Sequence, residues 1–287
     1  IDDQDRDLYV SLKELGATVT QTSNDNKNIW EINDLDQKIK DYLDSHTDYQ
    51  FSRDIKFSFK ERIAVNETFD GRIAVIGKTN YLLEYENRYY DLGYDYIIGL
   101  DEAGRGPMAG ELVVAGVIFP KGFYDERIFD SKQLTAKKRE AMYQIIVENA
   151  LAYHIEVISV EDVDRLNVYS ASQKGMEKCC QILKKEKMFA LTDAMPLHDI
   201  EHLSIIKGDT LSMSIAAASI LAKVTRDHLM IDYAKKYPQY GFEKHKGYVT
   251  KAHKEALRKY GPCPIHRKSF KPVQEVMKEQ ISLNLDI

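Results

Sequence analysis

The residues best equipped for chemistry in this sequence are acids at the ends of apolar runs. Asp101 and Glu102 close one such run and lead into Ala103-Gly104-Arg105-Gly106-Pro107. Asp193 follows the apolar Met188–Leu191, and Asp209 sits in Lys207-Gly208-Asp209, just ahead of an Ala-rich segment. Neighbouring residues of a strand point to opposite faces, so two consecutive acids share a site only where the strand breaks, and Gly104 and Gly106 supply a break. Strand ends and a helix N-terminus lie on one rim of an α/β sheet. Carboxylate oxygens gathered there can hold hard divalent cations such as Mg²⁺ or Mn²⁺. Each acid also has a plain structural use: Asp209 as a helix N-cap, Asp101 and Asp193 as turn formers, Glu102 as a solvated charge. Singly those uses suffice for Asp193 and Asp209; the joint context points to a cation site.

The elements that would carry these acids read as α/β. Tyr96–Leu100, Glu111–Phe119, Ala150–Val160, Met188–Leu191 and Leu203–Ile206 are β-branched or apolar runs separated by helical patterns at 135–149 and 169–185. A long Ala-rich helix is expected from about Leu211 to Lys235, its small residues allowing close packing on the sheet. A capped helix is expected over Thr250–Tyr260, with Thr250 as N-cap and Gly261 as the stop. Ahead of this lies a separate α+β pattern over residues 1–78. Its strands are Ala17–Thr20, Ile29–Ile32, Lys56–Val65 and Arg72–Ile76, its helix is Asp34–Leu43, and TQTSNDNKN at 20–28 and VNETFDG at 65–71 read as loops. An aromatic-rich helix over Asn80–Tyr90, ended by Gly93, links the two; its tyrosines serve as a packing face or as a stacking surface for nucleic acid. The expected division is an accessory domain at 1–78, a catalytic domain at 79–273 and a C-terminal tail at 274–287.

Composition narrows the class. With 287 residues, 44% of them hydrophobic and 30% charged, the chain is globular rather than disordered. The net charge of −5 conceals a gradient: residues 1–90 carry 18 acids and 12 bases, whereas 221–271 carry 4 acids and 13 bases. A basic surface beside an acidic cluster suits a polyanionic substrate and a cation, although solvated basic helices need no partner at all. No apolar stretch approaches the roughly 18 residues of a membrane span, and the N-terminus lacks the pattern of a signal peptide. Cys179, Cys180 and Cys263 form neither an even disulfide framework nor a C-x-x-C site, which fits a reducing, cytoplasmic setting.

The segment Gly99-Leu-Asp-Glu-Ala-Gly-Arg-Gly-Pro107 closely resembles the bacterial type 2 ribonucleases H, specifically ribonuclease HII. The resemblance runs from Leu82 to about Val273 through Asp130–Leu134, Thr192–Met195, Ile206–Asp209, Ser214–Ile220, Ala222–Asp227, His245–Tyr248 and Pro264–Arg267. Ribonuclease HIII has a different glycine loop, so Gly104-Arg105-Gly106 favours HII; residues 1–78 match nothing expected of that family. The resemblance implies a ribonuclease H-like mixed sheet flanked by helices. It implies an endonuclease that cleaves the RNA strand of RNA/DNA hybrids and cuts 5′ of ribonucleotides embedded in duplex DNA, as in ribonucleotide excision repair, leaving 3′-hydroxyl and 5′-phosphate ends. It carries the metal-binding acids onto Asp101, Glu102, Asp193 and Asp209, with two divalent cations, Mg²⁺ or Mn²⁺. Gly104, Arg105 and Gly106 would sense the ribose 2′-hydroxyl through backbone groups, and Tyr248 would pack on the deoxyribose 3′ of the ribonucleotide. Ser131, Lys132, Lys207 and Lys246 are candidate phosphate contacts, and each lysine could equally be solvated. No protein nucleophile or general-base histidine is needed, and His245 and His266 are expected to contact backbone or substrate. The protein is expected to act as a monomer. Finally, Gln280-Ile-Ser-Leu-Asn-Leu285 is similar in order to the short peptides that dock on the bacterial sliding clamp; an ordinary amphipathic tail is the alternative.

Overall fold

The computed structural model describes residues 18–24, 27–33, 63–67, 73–78, 81–125, 127–128 and 135–285. Contacts within the chain divide it into two units, Ile1–Tyr81 and Leu82–Ile287.

In the first unit, β1 (Thr18–Asn24) pairs antiparallel with β2 (Lys27–Asn33), in register from Thr18 opposite Asn33 to Asn24 opposite Lys27. The stretch 20–28 is therefore mostly strand rather than loop. Thr18, Val19, Thr20 and Thr22 are β-branched, a residue type that favours strands. A second hairpin joins β3 (Ile63–Glu67) to β4 (Ile73–Lys78) and takes in the start of the expected loop at 65–71. The helix expected at 34–43 lies outside the described residues.

The second unit opens with a helical turn and α1 (Glu84–Asp91). Tyr90 is buried and the Tyr89 ring stacks on Phe189 at 3.6 Å, so these two aromatics form a packing face. The sheet has the order β7-β6-β5-β8-β9. Strands β5 (Tyr96–Ala103), β6 (Leu112–Ile118) and β7 (Ala152–Ile158) form an antiparallel meander. Strands β8 (Met188–Asp193) and β9 (His202–Ile205) continue it in parallel. All seven residues of β6 are buried, which explains why its sequence is a continuous apolar run: both faces of the sheet are covered.

The longer helices are α2 (Ala136–Asn149), α3 (Val160–Leu166), α4 (Val168–Ile182), α5 (Met213–Lys236), α6 (Lys251–Tyr260) and α7 (Lys271–Leu285). On one face, Ile98, Leu100, Leu112 and Val114 pack with Met176 and Cys179 of α4. On the other, Ile97 and Leu191 pack with Ile215 of α5. The Ala-rich stretch of α5 permits this contact to be unusually close: a Cβ on Gly99 would lie 2.1 Å from the backbone carbon of Ser214. Thr250 caps α6 and Gly261 follows its last residue, as the sequence predicts.

The C-terminal region differs from expectation. Residues 271–285 are helical rather than a tail, and Val273 and Val276 pack against Met108 and Leu257. Val273, Val276 and Met277 have the i, i+3, i+4 spacing of a helical stripe, and Pro272 stands in the first turn, where proline's missing N–H costs nothing. No helix among the described residues is long and apolar enough to cross a membrane.

Candidate active site

Asp101 lies on β5 one residue past its last rung with β8, which joins Leu100 to Thr192. The strand runs past the expected Leu100, through both acids, and stops at Ala103, just before Gly104. Asp101 lies opposite Ala115 and Glu102 opposite Val114 of β6, so the two carboxylates leave opposite faces. Asp101 shares the face of Gly99, toward α5, and is 4% exposed; Ser219 of α5 hydrogen-bonds to it. Asp193 ends β8, and its Oδ1 accepts the Gly208 N–H at 2.8 Å. Asp209 is buried in the helical turn Gly208–Thr210 that precedes α5.

These three elements end on one rim, and oxygens of Asp101, Asp193 and Asp209 come within 4.8 Å of one another. Burial first, then the charges of Glu102 and Asp193, push the Asp101 carboxyl well above its ordinary pKa. Glu102 borders the trio and its Oε1 accepts from Arg105 Nη1 at 3.3 Å. Three crowded carboxylates, two of them buried, form an all-oxygen donor set whose repulsion a hard divalent cation would relieve.

A residue with no sequence-based role helps to set this geometry. Glu86 of α1 is buried, and its Oε1 accepts from the Ser212 hydroxyl at 2.6 Å, from the Ser214 N–H at 3.0 Å and from the Ser214 hydroxyl. It thus caps the N-terminus of α5 from another helix, three residues beyond Asp209. Its only sequence signal is a carboxylate inside an aromatic helix.

The glycine loop lies beside the acids. Gly104 has φ of 108°, and a Cβ there would stand 2.3 Å from Arg226 Nε, so both conformation and space demand glycine. Arg226 is 1% exposed and donates to the carbonyls of Glu111, Lys246 and Ala109 at 3.0, 2.9 and 3.0 Å. Arg267, fully buried, donates to Gly110 O at 2.9 Å and Arg105 O at 3.4 Å. Burial, and then the neighbouring Arg226, pull its pKa down to about 9. Both arginines fall in the recognised sequence blocks, yet only the structure reveals that they staple the loop by its carbonyls.

The ring of Tyr248, 46% exposed, lies over Gly106: a Cβ on that glycine would sit 3.5 Å from its Cε1. Lys246, half-buried, donates from Nζ to Glu243 O at 2.8 Å, and Lys207 is exposed in a left-handed backbone conformation. The structure therefore gathers Asp101, Asp193 and Asp209, sets Glu102 at their edge, and brings Tyr248 against Gly106. Ser131 and Lys132 lie outside the described residues.

Residues 98–273 match the family model described as Ribonuclease HII. A ribonuclease HII of Acholeplasma laidlawii is 54% identical over 197 residues, which cover 69% of this chain and 98% of that protein. Among solved structures, the ribonuclease HII of Archaeoglobus fulgidus, determined as a PCNA complex, aligns with a TM-score of 0.54 at 24% identity, covering 63% of this chain and 96% of that one. Bst-RNase HIII in complex with Mn²⁺ aligns with a TM-score of 0.53 at 15% identity, covering 87% of this chain and 98% of that one. The two structures share the fold at that level of identity; the sequence match reaches further, and by it this chain belongs to the ribonuclease HII family, type 2 ribonuclease H endonucleases that act on RNA/DNA hybrids.

Proposed function

We propose that the enzyme hydrolyses phosphodiesters with two divalent cations, Mg²⁺ or Mn²⁺, held by Asp101, Asp193 and Asp209 with Glu102 at their edge. The observation that carries this reading is the approach of three carboxylates to within 4.8 Å around the buried Asp101. Bound cations would activate a water and stabilise the departing alkoxide. Asp101 and Asp209, both buried, keep bulk water from the donor set, while the Gly208 N–H orients Asp193.

The substrate includes the RNA strand of hybrids and, in this proposal, a single ribonucleotide within duplex DNA, cut on its 5′ side to leave a 3′-hydroxyl and a 5′-phosphate. Backbone groups of Gly104, Arg105 and Gly106 meet the 2′-hydroxyl, and at the exposed Gly106 no Cβ blocks approach. Tyr248 meets the deoxyribose beyond it, supported by its exposed ring over Gly106. Lys207, Lys246, Ser131 and Lys132 contact phosphates. A duplex with one ribonucleotide tests the reading directly. Cleavage 5′ of that nucleotide is expected with Mg²⁺ or Mn²⁺ and none with chelator; cleavage of a hybrid without cutting of the single-ribonucleotide duplex would overturn it.

Two further roles belong to the same proposal. Gln280–Leu285 docks on a sliding clamp, in line with the solved PCNA complex of the Archaeoglobus fulgidus relative. Residues 1–78 form an accessory module that contacts substrate. The enzyme works as a cytoplasmic monomer in ribonucleotide repair.

A further inference from the structure

We propose that His253 and His266 are positioning residues, joined in a directed hydrogen-bond relay that fixes the main chain of Tyr248 and so aims its ring at the substrate. The inference rests on the reading that Tyr248 meets substrate.

Backbone groups decide where the protons lie. The Cys263 N–H donates to His266 Nδ1 at 3.0 Å, so that nitrogen carries a lone pair and the proton resides on Nε2. His266 Nε2 lies 3.1 Å from His253 Nε2 and must donate to it. His253 then has its proton on Nδ1, which lies 2.9 Å from the Tyr248 carbonyl and donates there. Only one set of tautomers satisfies every contact, and both rings are neutral in it. The relay runs from the Cys263 N–H through two imidazoles to the Tyr248 oxygen.

The surroundings preserve that state. His253 is fully buried and His266 is 1% exposed, and burial draws both pKa values down to about 4. His245 stacks on His253 with centroids 4.3 Å apart. It accepts the Gly247 N–H at Nδ1 and faces Tyr240 O with Nε2. The Phe242 ring stands edge-on to His253, and the Cys263 thiol lies 3.1 Å from His266 Nδ1.

What the relay grips is local to the reading face. Among the described residues, the Tyr248 carbonyl otherwise receives the tight turn bond from Thr250 N–H at 2.9 Å. The adjoining Gly247 O accepts Met108 N–H at 3.0 Å, tying this loop to the segment just after the glycine loop. The relay thus holds a half-exposed ring by its main chain from the protein side, leaving the ring free for a ligand. No carboxylate oxygen enters the chain of contacts, so the relay does not report on the cation site.

A double-mutant cycle on the full-length protein tests this. His253→Ala should lower kcat/KM on a duplex containing one ribonucleotide by about tenfold or more, mainly through KM, with an unchanged Mg²⁺ titration midpoint. His253→Asn keeps an N–H near the position of Nδ1 and should recover most of the loss. In a Tyr248→Ala background, His253→Ala should cost little more. His266→Ala and His266→Gln provide the second pair: glutamine retains a donor toward His253, and so should exceed alanine in activity even if alanine at 253 fails to fold. An undiminished His253→Ala penalty in the Tyr248→Ala background would show a general packing effect and overturn the proposal, as would equal losses in the alanine variants and their amide counterparts. If Tyr248→Ala itself leaves cleavage unchanged, the tyrosine's substrate role fails first, and with it the purpose of the relay.

Discussion

At the scale of single residues, three carboxylates held this close repel one another until a positive charge separates them. At Asp101, burial and then the charges of Glu102 and Asp193 hold the carboxyl well above its ordinary pKa. A carboxyl whose folded pKa is raised binds its proton more tightly in the native state, so its contribution to stability is present at low pH and is lost as pH rises through the folded value. Asp101→Asn should therefore raise the melting temperature of cation-free protein at pH 8, and the gap from wild type should close as acid protonates Asp101. Mg²⁺ should raise the wild-type melting temperature by several degrees, the variant's hardly at all, and cleavage should fall by at least about 100-fold. An equal Mg²⁺ response in both proteins would remove Asp101 from the cation site. The sequence made these acids visible because each ends a run or precedes a helix. It did not show where the first strand ends, since a glycine pair announces a turn without saying how many residues the strand retains before it.

At the scale of elements, the sheet and its covering helices were legible from apolar runs and caps: Thr250, the Ala-rich helix and the five strands all announce themselves. The buried donors and acceptors that join elements were not, because Glu86, Arg226 and His253 become partners only after folding has brought distant segments together. Helix α7 was missed for another reason: its apolar stripe is short and follows a proline. This bears on clamp docking. Gln280 lies in the helix, and a Cβ on Gly261 would stand 2.9 Å from its Nε2, so the amide occupies space beside that glycine. Docking as an extended peptide would have to unwind the last turns of α7, and the ordering cost would weaken binding. Calorimetric titration with purified clamp should show binding that Gln280→Ala combined with Leu283→Ala abolishes. Absence of heat with the intact protein, or an unchanged affinity in the double variant, would refute the docking role and leave α7 as a helix that braces Met108 and Leu257.

At the scale of the whole molecule, the catalytic unit and the first unit differ in what can be inferred for them. The Acholeplasma laidlawii enzyme is matched over 98% of its length by 197 residues of this chain, so a protein made of little more than the catalytic portion is a complete family member. The alignment with Bst-RNase HIII covers 87% of this chain, more than Leu82–Ile287 contains, and so extends into the first unit. Sequence pattern alone marked that unit as separate without assigning it a task, because hairpins with alternating β-branched residues serve many purposes. Its charge constrains the answer: residues 1–81 hold 16 acids against 11 bases, which opposes simple attraction to phosphate. If the unit contacts substrate, it does so without releasing many counterions. A chain beginning at Leu82 should then keep kcat within about twofold, raise KM for a hybrid several-fold, and leave the slope of log affinity against log salt nearly unchanged. Equal KM values for the two chains would eliminate the substrate role. A truncated chain that melts at much lower temperature but binds normally would identify the unit as a brace, and a large drop in salt slope would locate phosphate contacts within it after all.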